Sequence, residues 1–148
     1  MPSINVNIAA DGPLLIVHIG VSVPRLAALT AAGLPVPPVA PGTFLIDTGA
    51  SCTCVDPGLL AGLGLQPTGR VLISTPSTAG QPHHCEQFDV SIFIPAVAPA
   101  VSGHVVPAIP IVATHLKSQG IDGLIGRDVL KDCTLIYNGT SGMFSLAY

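Results

Sequence analysis

Between Val90 and Leu116 the chain carries no Asp, Glu, Lys or Arg, yet Pro95, Pro99, Pro107 and Pro110 fall inside that stretch. A run this apolar is long enough to cross a bilayer as a helix. Proline removes a backbone donor and clashes with the preceding turn, so the stretch breaks into loops and strands instead. The rest of the chain is punctuated in the same way and reads mostly as strands.

Residues 14 to 23, LLIVHIGVSV, are β-branched and apolar and predict a strand that bends near Gly20. Pro24 and Gly33 bracket a short helix. Residues 34 to 42, with Pro35, Pro37, Pro38 and Pro41, form a stiff loop of polyproline character and not a domain linker. Strands are expected at Phe44 to Ile46 and Thr53 to Val55. Asp56 then supplies an N-cap, Pro57 a first helical residue, and Gly62 or Gly64 a stop.

Residues 70–74 and 87–94 are β-rich and flank a segment holding Pro76, Gly80 and Pro82, which is the pattern of a long hairpin. In residues 120–132, Leu124, Ile125, Val129 and Leu130 recur near helical spacing, with Gly126 at the entry to a helix from about Arg127. Asn138-Gly139 between two β-rich runs signals a hairpin. No internal repeat emerges, and residues 1–148 read as a single all-β domain.

Charge narrows the partners. The formal net charge is -3, only 9% of residues are charged, and no Lys/Arg cluster exists, so nucleic acid is not an expected partner. With 49% hydrophobic residues and so few charges, part of the surface is expected to be covered by another chain. The N-terminus lacks a basic region and a small-residue cleavage site and reads as mature protein, with no membrane partner. Cys52, Cys54, Cys85 and Cys133 then imply a reducing, cytoplasmic setting and read as buried small hydrophobes. A metal site from Cys52, Cys54, Cys85 and His83 or His84 would match no common zinc spacing, so neither metal nor other cofactor is expected.

Asp47 stands apart. The apolar run Phe44, Leu45, Ile46 delivers it straight into a turn of Thr48, Gly49 and Ala50, and a carboxylate beside a hydrophobic strand is costly to bury without a partner. Asp-Thr-Gly-Ala-Ser at 47–51, a hairpin some thirty residues later, and Leu-Ile-Gly-Arg-Asp-Val-Leu at 124–130 together resemble the retropepsin-like aspartic proteases. The likeness spans Phe44 to Leu130, and the order of the elements is more telling than the tripeptide alone. It implies an all-β, single-domain acid-protease barrel with a short helix near the C-terminus, a catalytic loop at 47–51 and a flap hairpin at about 74–87.

Hydrolysis without a metal or covalent nucleophile needs both a base and an acid. Two carboxylates about 3 Å apart cannot both ionise, and so share one proton and supply both roles. Asp-Thr-Gly occurs once, so the missing partner of Asp47 is expected to be Asp47 of a second copy in a homodimer.

The resemblance assigns roles residue by residue. Asp47, Thr48 and Gly49 are catalytic, with the Thr48 hydroxyl bonding across the dimer axis. Gly49, Ala50 and Ser51 hold an extended peptide; Ser77, Thr78, Ala79 and Gly80 form the flap tip; Ile125 is a pocket wall. Gly126 and Arg127 brace the loop, and the terminal strand Met143 to Tyr148 joins the dimer contact. Many retroviral members carry an aspartate at the position of Ser51, which pairs with the arginine; here Arg127 needs another acceptor. His83 and His84 are expected to face solvent, and Asp128 not to be a second catalytic acid. The function implied is a dimeric aspartic endopeptidase acting on peptides; the alternatives are a fold relative that binds without cutting and a metal-dependent hydrolase.

Overall fold

The computed structural model describes residues 1–74, 81–97 and 102–148. Ten strands dominate: β1 Ser3–Asn7, β2 Leu14–Val21, β3 Ala40–Ile46, β4 Cys54–Val55, β5 Gly69–Ile73, β6 His83–Ile94, β7 His104–Ala113, β8 Gly123–Ile125, β9 Thr134–Asn138 and β10 Met143–Ala147. Among the described residues three short α-helices interrupt them: α1 Val23–Ala31, α2 Pro57–Leu60 and α3 Arg127–Leu130. Among the described residues no helix is long and apolar enough to cross a membrane.

The main sheet runs β2-β3-β8-β4-β7-β6-β5, and a further pairing of β2 with β6 closes it into a barrel, leaving β5 as a flange on β6. Alternation builds the interior: Leu15, Val17 and Ile19 of β2 and Phe88, Val90, Ile92 and Ile94 of β6 all point inward. A β-bulge between Val90 and Ile92 lets β6 bend so that it pairs with β5 at one end and β2 at the other. A second, three-stranded sheet, β1-β10-β9, packs Ile4, Phe144 and Leu146 against the same core.

β8 lies parallel to β3, with Phe44 opposite Gly123, and antiparallel to β4. A Cβ at Gly123 would come within 2.1 Å of the Phe44 ring, so only glycine permits this register. As β8 sits between β3 and β4, the connection 47–53 must arch over the end of β8.

The hairpin of β5 and β6 forms as expected, with Val71 opposite Cys85. Its expected tip, including Ser77, Thr78, Ala79 and Gly80, lies outside the described residues. The proline-rich loop is shorter than expected, because Ala40 to Gly42 already pair with β2. In the β9–β10 hairpin the chain turns over residues 139–142. Gly142 takes the left-handed conformation (φ 65°), and the Asn138 Oδ1 accepts from Ser141 N at 3.1 Å, so a wider turn replaces the tight Asn-Gly one. The strand β1 was not foreseen; its apolar residues are too few to show a period alone.

Candidate active site

The loop over β8 is fixed from below. The backbone N–H of Asp47 donates to Ile125 O at 3.0 Å, and that of Arg127 donates to Ala50 O at 3.0 Å. Gly126 allows this approach, since a Cβ there would lie 2.5 Å from the Cys52 carbonyl carbon. Arg127, lacking a carboxylate at Ser51, finds backbone acceptors: its Nη1 donates to Thr48 O at 2.9 Å and Gly49 O at 3.1 Å.

A second brace was not anticipated. Asp128 accepts from Thr53 N through Oδ2 (2.8 Å) and from Thr53 Oγ1 through Oδ1 (2.7 Å), while Thr53 Oγ1 accepts from Gly126 N at 3.1 Å. Asp128 also accepts from Val129 N at 2.9 Å, at the start of α3. Thr53 is fully buried, so these bonds satisfy polar groups water cannot reach. An Asp after Gly-Arg and a Thr between two cysteines carry no sequence signal for this pairing.

Within the loop, the Asp47 Oδ1 accepts from Gly49 N at 2.8 Å and Ala50 N at 3.2 Å. Such bonds orient the carboxylate as in an Asx turn. Asp47 and Ala50 are half-buried; Thr48, Gly49 and Ser51 are exposed. A Cβ at Gly49 would sit 3.1 Å from the Asp47 Oδ1, so the glycine keeps the carboxylate uncrowded.

Ile125 requires a correction. It is fully buried in the barrel core and cannot wall an open pocket. Successive strand residues face opposite ways, and its neighbour Leu124 packs on the other side, in a second apolar cluster. Cys54, Cys85, Val112, Leu116 and Ile121 form the centre of that cluster, with Leu45, Cys52, Val71, Ile73 and Leu124 half-buried around it. It joins both strands flanking the Asp47 loop to the β5–β6 hairpin.

The four cysteines are free thiols. Burial, then the neighbouring Cys52, pushes the Cys54 thiol up to about 12. His83 and His84 are exposed, and with His115 and Glu86 they border a cavity of about 360 Å³ beside Pro57. Among the described residues no three His, Cys, Asp or Glu side chains gather as metal ligands would.

Asp56 caps α2 as expected, accepting from Gly58 N at 2.9 Å, and also accepts through Oδ2 from Leu116 N (2.8 Å) and Lys117 N (3.0 Å). Asp122 is half-buried; it accepts from Thr43 N at 2.8 Å and pairs with Lys117.

A family model described as aspartyl protease matches residues 33–129. Among solved structures, a retropepsin-like aspartic protease from Rickettsia conorii is similar with a TM-score of 0.53 at 13% identity, covering 99% of this chain and 90% of that one. No curated protein matches the sequence.

Proposed function

We propose, on the premise that the chain belongs to the aspartyl protease family and has the retropepsin-like fold, that it is a homodimeric endopeptidase with one Asp47 contributed by each copy. One observation carries this reading: a carboxylate oriented by Gly49 and Ala50 on a doubly braced loop whose Thr48, Gly49 and Ser51 remain exposed. That is a preorganised half-site, and it has only one acid.

In the dimer one Asp47 is ionised and the other protonated, and the pair titrates as a unit. The ionised carboxylate takes a proton from water as the water oxygen attacks the peptide carbonyl carbon. The protonated one donates to the carbonyl oxygen. The carboxyl that took the water proton then gives it to the amide nitrogen while the other carboxylate takes a proton from a hydroxyl of the hydrated carbonyl, and the C–N bond breaks, giving an acid and an amine. Thr48 stiffens the paired loops across the axis, and backbone groups of Gly49, Ala50 and Ser51 hold an extended peptide. The half-buried cluster around Leu124 and Cys52 favours apolar side chains next to the scissile bond. Four free thiols support a reducing, cytoplasmic setting.

The test is digestion of a peptide library between about pH 4 and 7, where a shared-proton pair operates, beside Asp47→Asn. Cleavage by the wild type alone is expected. Cleavage that survives the substitution overturns the reading, and peptide binding without cleavage by either protein favours a non-cutting binder.

A further inference from the structure

β6 and β7 pair as far as Gln87 and Val112 and then part. Beyond that point β6 runs on to His83, paired among the described residues with β5 alone, while Val112 and Thr114 turn their N–H groups to Thr53 O and Val55 O on the β4 side. The parting opens two adjoining cavities, which share Pro57, Glu86 and Ala113 in their walls. Their linings differ.

The larger cavity, of about 360 Å³, has His83 and His84 on β6 and His115 across the gap. Three of the chain's five histidines therefore border one space. Among the described residues they do not converge as metal ligands do, so what they offer is a set of separate N–H donors. Thr114, in the same wall, adds a hydroxyl that is buried without a hydrogen-bond partner among the described residues. The Cys54 thiol beside it is a poor partner. A buried hydroxyl in that condition is unusual enough to point to a ligand or a water that meets it.

The smaller cavity, of about 170 Å³, is apolar: buried Leu60 and Phe88 reach it from the core, with half-buried Leu65 and exposed Ala61 at its rim. The carboxylates nearby are engaged or stand in solvent. Asp56, close to His115, accepts from the N–H groups of Gly58, Leu116 and Lys117, and Asp122 pairs with Lys117. Glu86 is exposed and stands opposite Arg70 on β5. Hydrogen-bond donors thus gather at one end of the paired space and hydrocarbon at the other.

We propose that the two cavities together bind an apolar carboxylic acid, with its carboxylate among the three imidazoles and the Thr114 hydroxyl and its hydrocarbon against Leu60, Leu65 and Phe88. The site is independent of the two-chain reading above, since no residue of the 47–51 loop borders either cavity. A bound acid touches β6, α2 and the residues after β7 at once, and so fastens the root of the β5–β6 hairpin to the barrel.

Calorimetric titration with octanoate tests this, and wild type and Asp47→Asn should bind it alike. Octanamide should bind about 10-fold more weakly, because it lacks the charge that strengthens each donated hydrogen bond. Hexanoate should also lose about 10-fold, having two methylenes fewer in the apolar end. N-acetyl-leucine beside N-acetyl-leucinamide tells a peptide C-terminus from a free fatty acid as the source, and a response that needs the acid in either pair supports the site. Hydrogen exchange at residues 83–86 should slow with octanoate bound.

Thr114→Val should weaken octanoate about 5-fold. The free protein should melt no lower, an outcome that a hydroxyl serving the fold would not allow. His83→Ala, His84→Ala and His115→Ala together should weaken octanoate about 10-fold. Ala61→Phe fills the apolar end from an exposed position and should abolish the advantage of octanoate over hexanoate. Circular dichroism checks that each variant folds.

A wild type that does not bind octanoate, octanamide that binds as tightly, or an affinity unchanged by both the histidine substitutions and Ala61→Phe overturns the proposal. Octanoate binding by a protein that cleaves no peptide supports the site and removes the proteolytic reading. Cleavage by a protein that ignores octanoate does the reverse.

Discussion

Arg127 donates from Nη1 to the carbonyl oxygen of Thr48 at 2.9 Å, reaching from the start of α3 to the loop that presents Asp47. The same Nη1 also donates to Gly49 O at 3.1 Å, so one exposed side chain fixes two successive peptide units. A carboxylate partner is unnecessary when carbonyls converge in this way, which explains how the chain manages with serine at position 51.

Arg127→Lys tests that brace. A point charge on a flexible stem cannot hold both carbonyls in the same plane. kcat/KM for a cleaved peptide is expected to fall about 10- to 100-fold through loss of positioning. Stability in urea should change by no more than about 1 kcal/mol, because the side chain is exposed.

Thr53→Val should act the other way. It is nearly isosteric but leaves the buried Gly126 N–H without its partner and removes one of the two donors on the Asp128 Oδ1. Urea unfolding is expected to show a loss of about 1–3 kcal/mol. A double-mutant cycle with Asp128→Ala should give a coupling of about 0.5–3 kcal/mol; a coupling of zero would mean the two do not act together.

Gly126→Ala places a methyl against the Cys52 carbonyl, 2.6 Å from its oxygen. Backbone cannot step aside as a side-chain tip can, so the loop must move. A stability loss of about 1–3 kcal/mol, as for overpacking, is expected together with lost activity. Gly62→Ala, where a Cβ meets nothing within 4 Å, is the matched control.

Acid should weaken the fold through Asp56. Burial alone would raise its pKa, but the N–H groups of Leu116, Gly58 and Lys117 outweigh this and hold it below its ordinary 3.8. Between the folded and unfolded values the unfolded chain binds more protons, so stability rises with pH there. The contribution is complete above the ordinary value and disappears as pH falls through the folded one. Asp56→Asn should therefore cost about 1–3 kcal/mol at pH 7, with the gap to wild type closing below about pH 4. A gap that stays constant with pH would show that Asp56 acts only by shape.

Much of this was legible from residues alone. Asp56-Pro57 and Gly64 set the ends of a helical turn because capping uses only the few residues at the helix end. The β-rich runs at 70–74 and 87–94, with proline and glycine between them, predict the β5–β6 pairing for the same local reason. The Asp47 loop and the Gly-Arg-Asp segment stood out by composition and order. Their contact did not: Thr53 and Asp128 are 75 residues apart, and nothing near either one specifies the other.

The sequence by itself determined where the chain turns, which faces of its strands are apolar, and that one carboxylate is delivered to an exposed loop. Only the tertiary structure decided that β8 threads between β3 and β4, and from that crossing followed the acceptors for Arg127, the Thr53–Asp128 brace and the burial of Ile125 in place of Leu124. Local preference depends on neighbours within a few residues. Which groups meet across the barrel depends on how strands are ordered in the sheet, and that order is set by packing of the whole core.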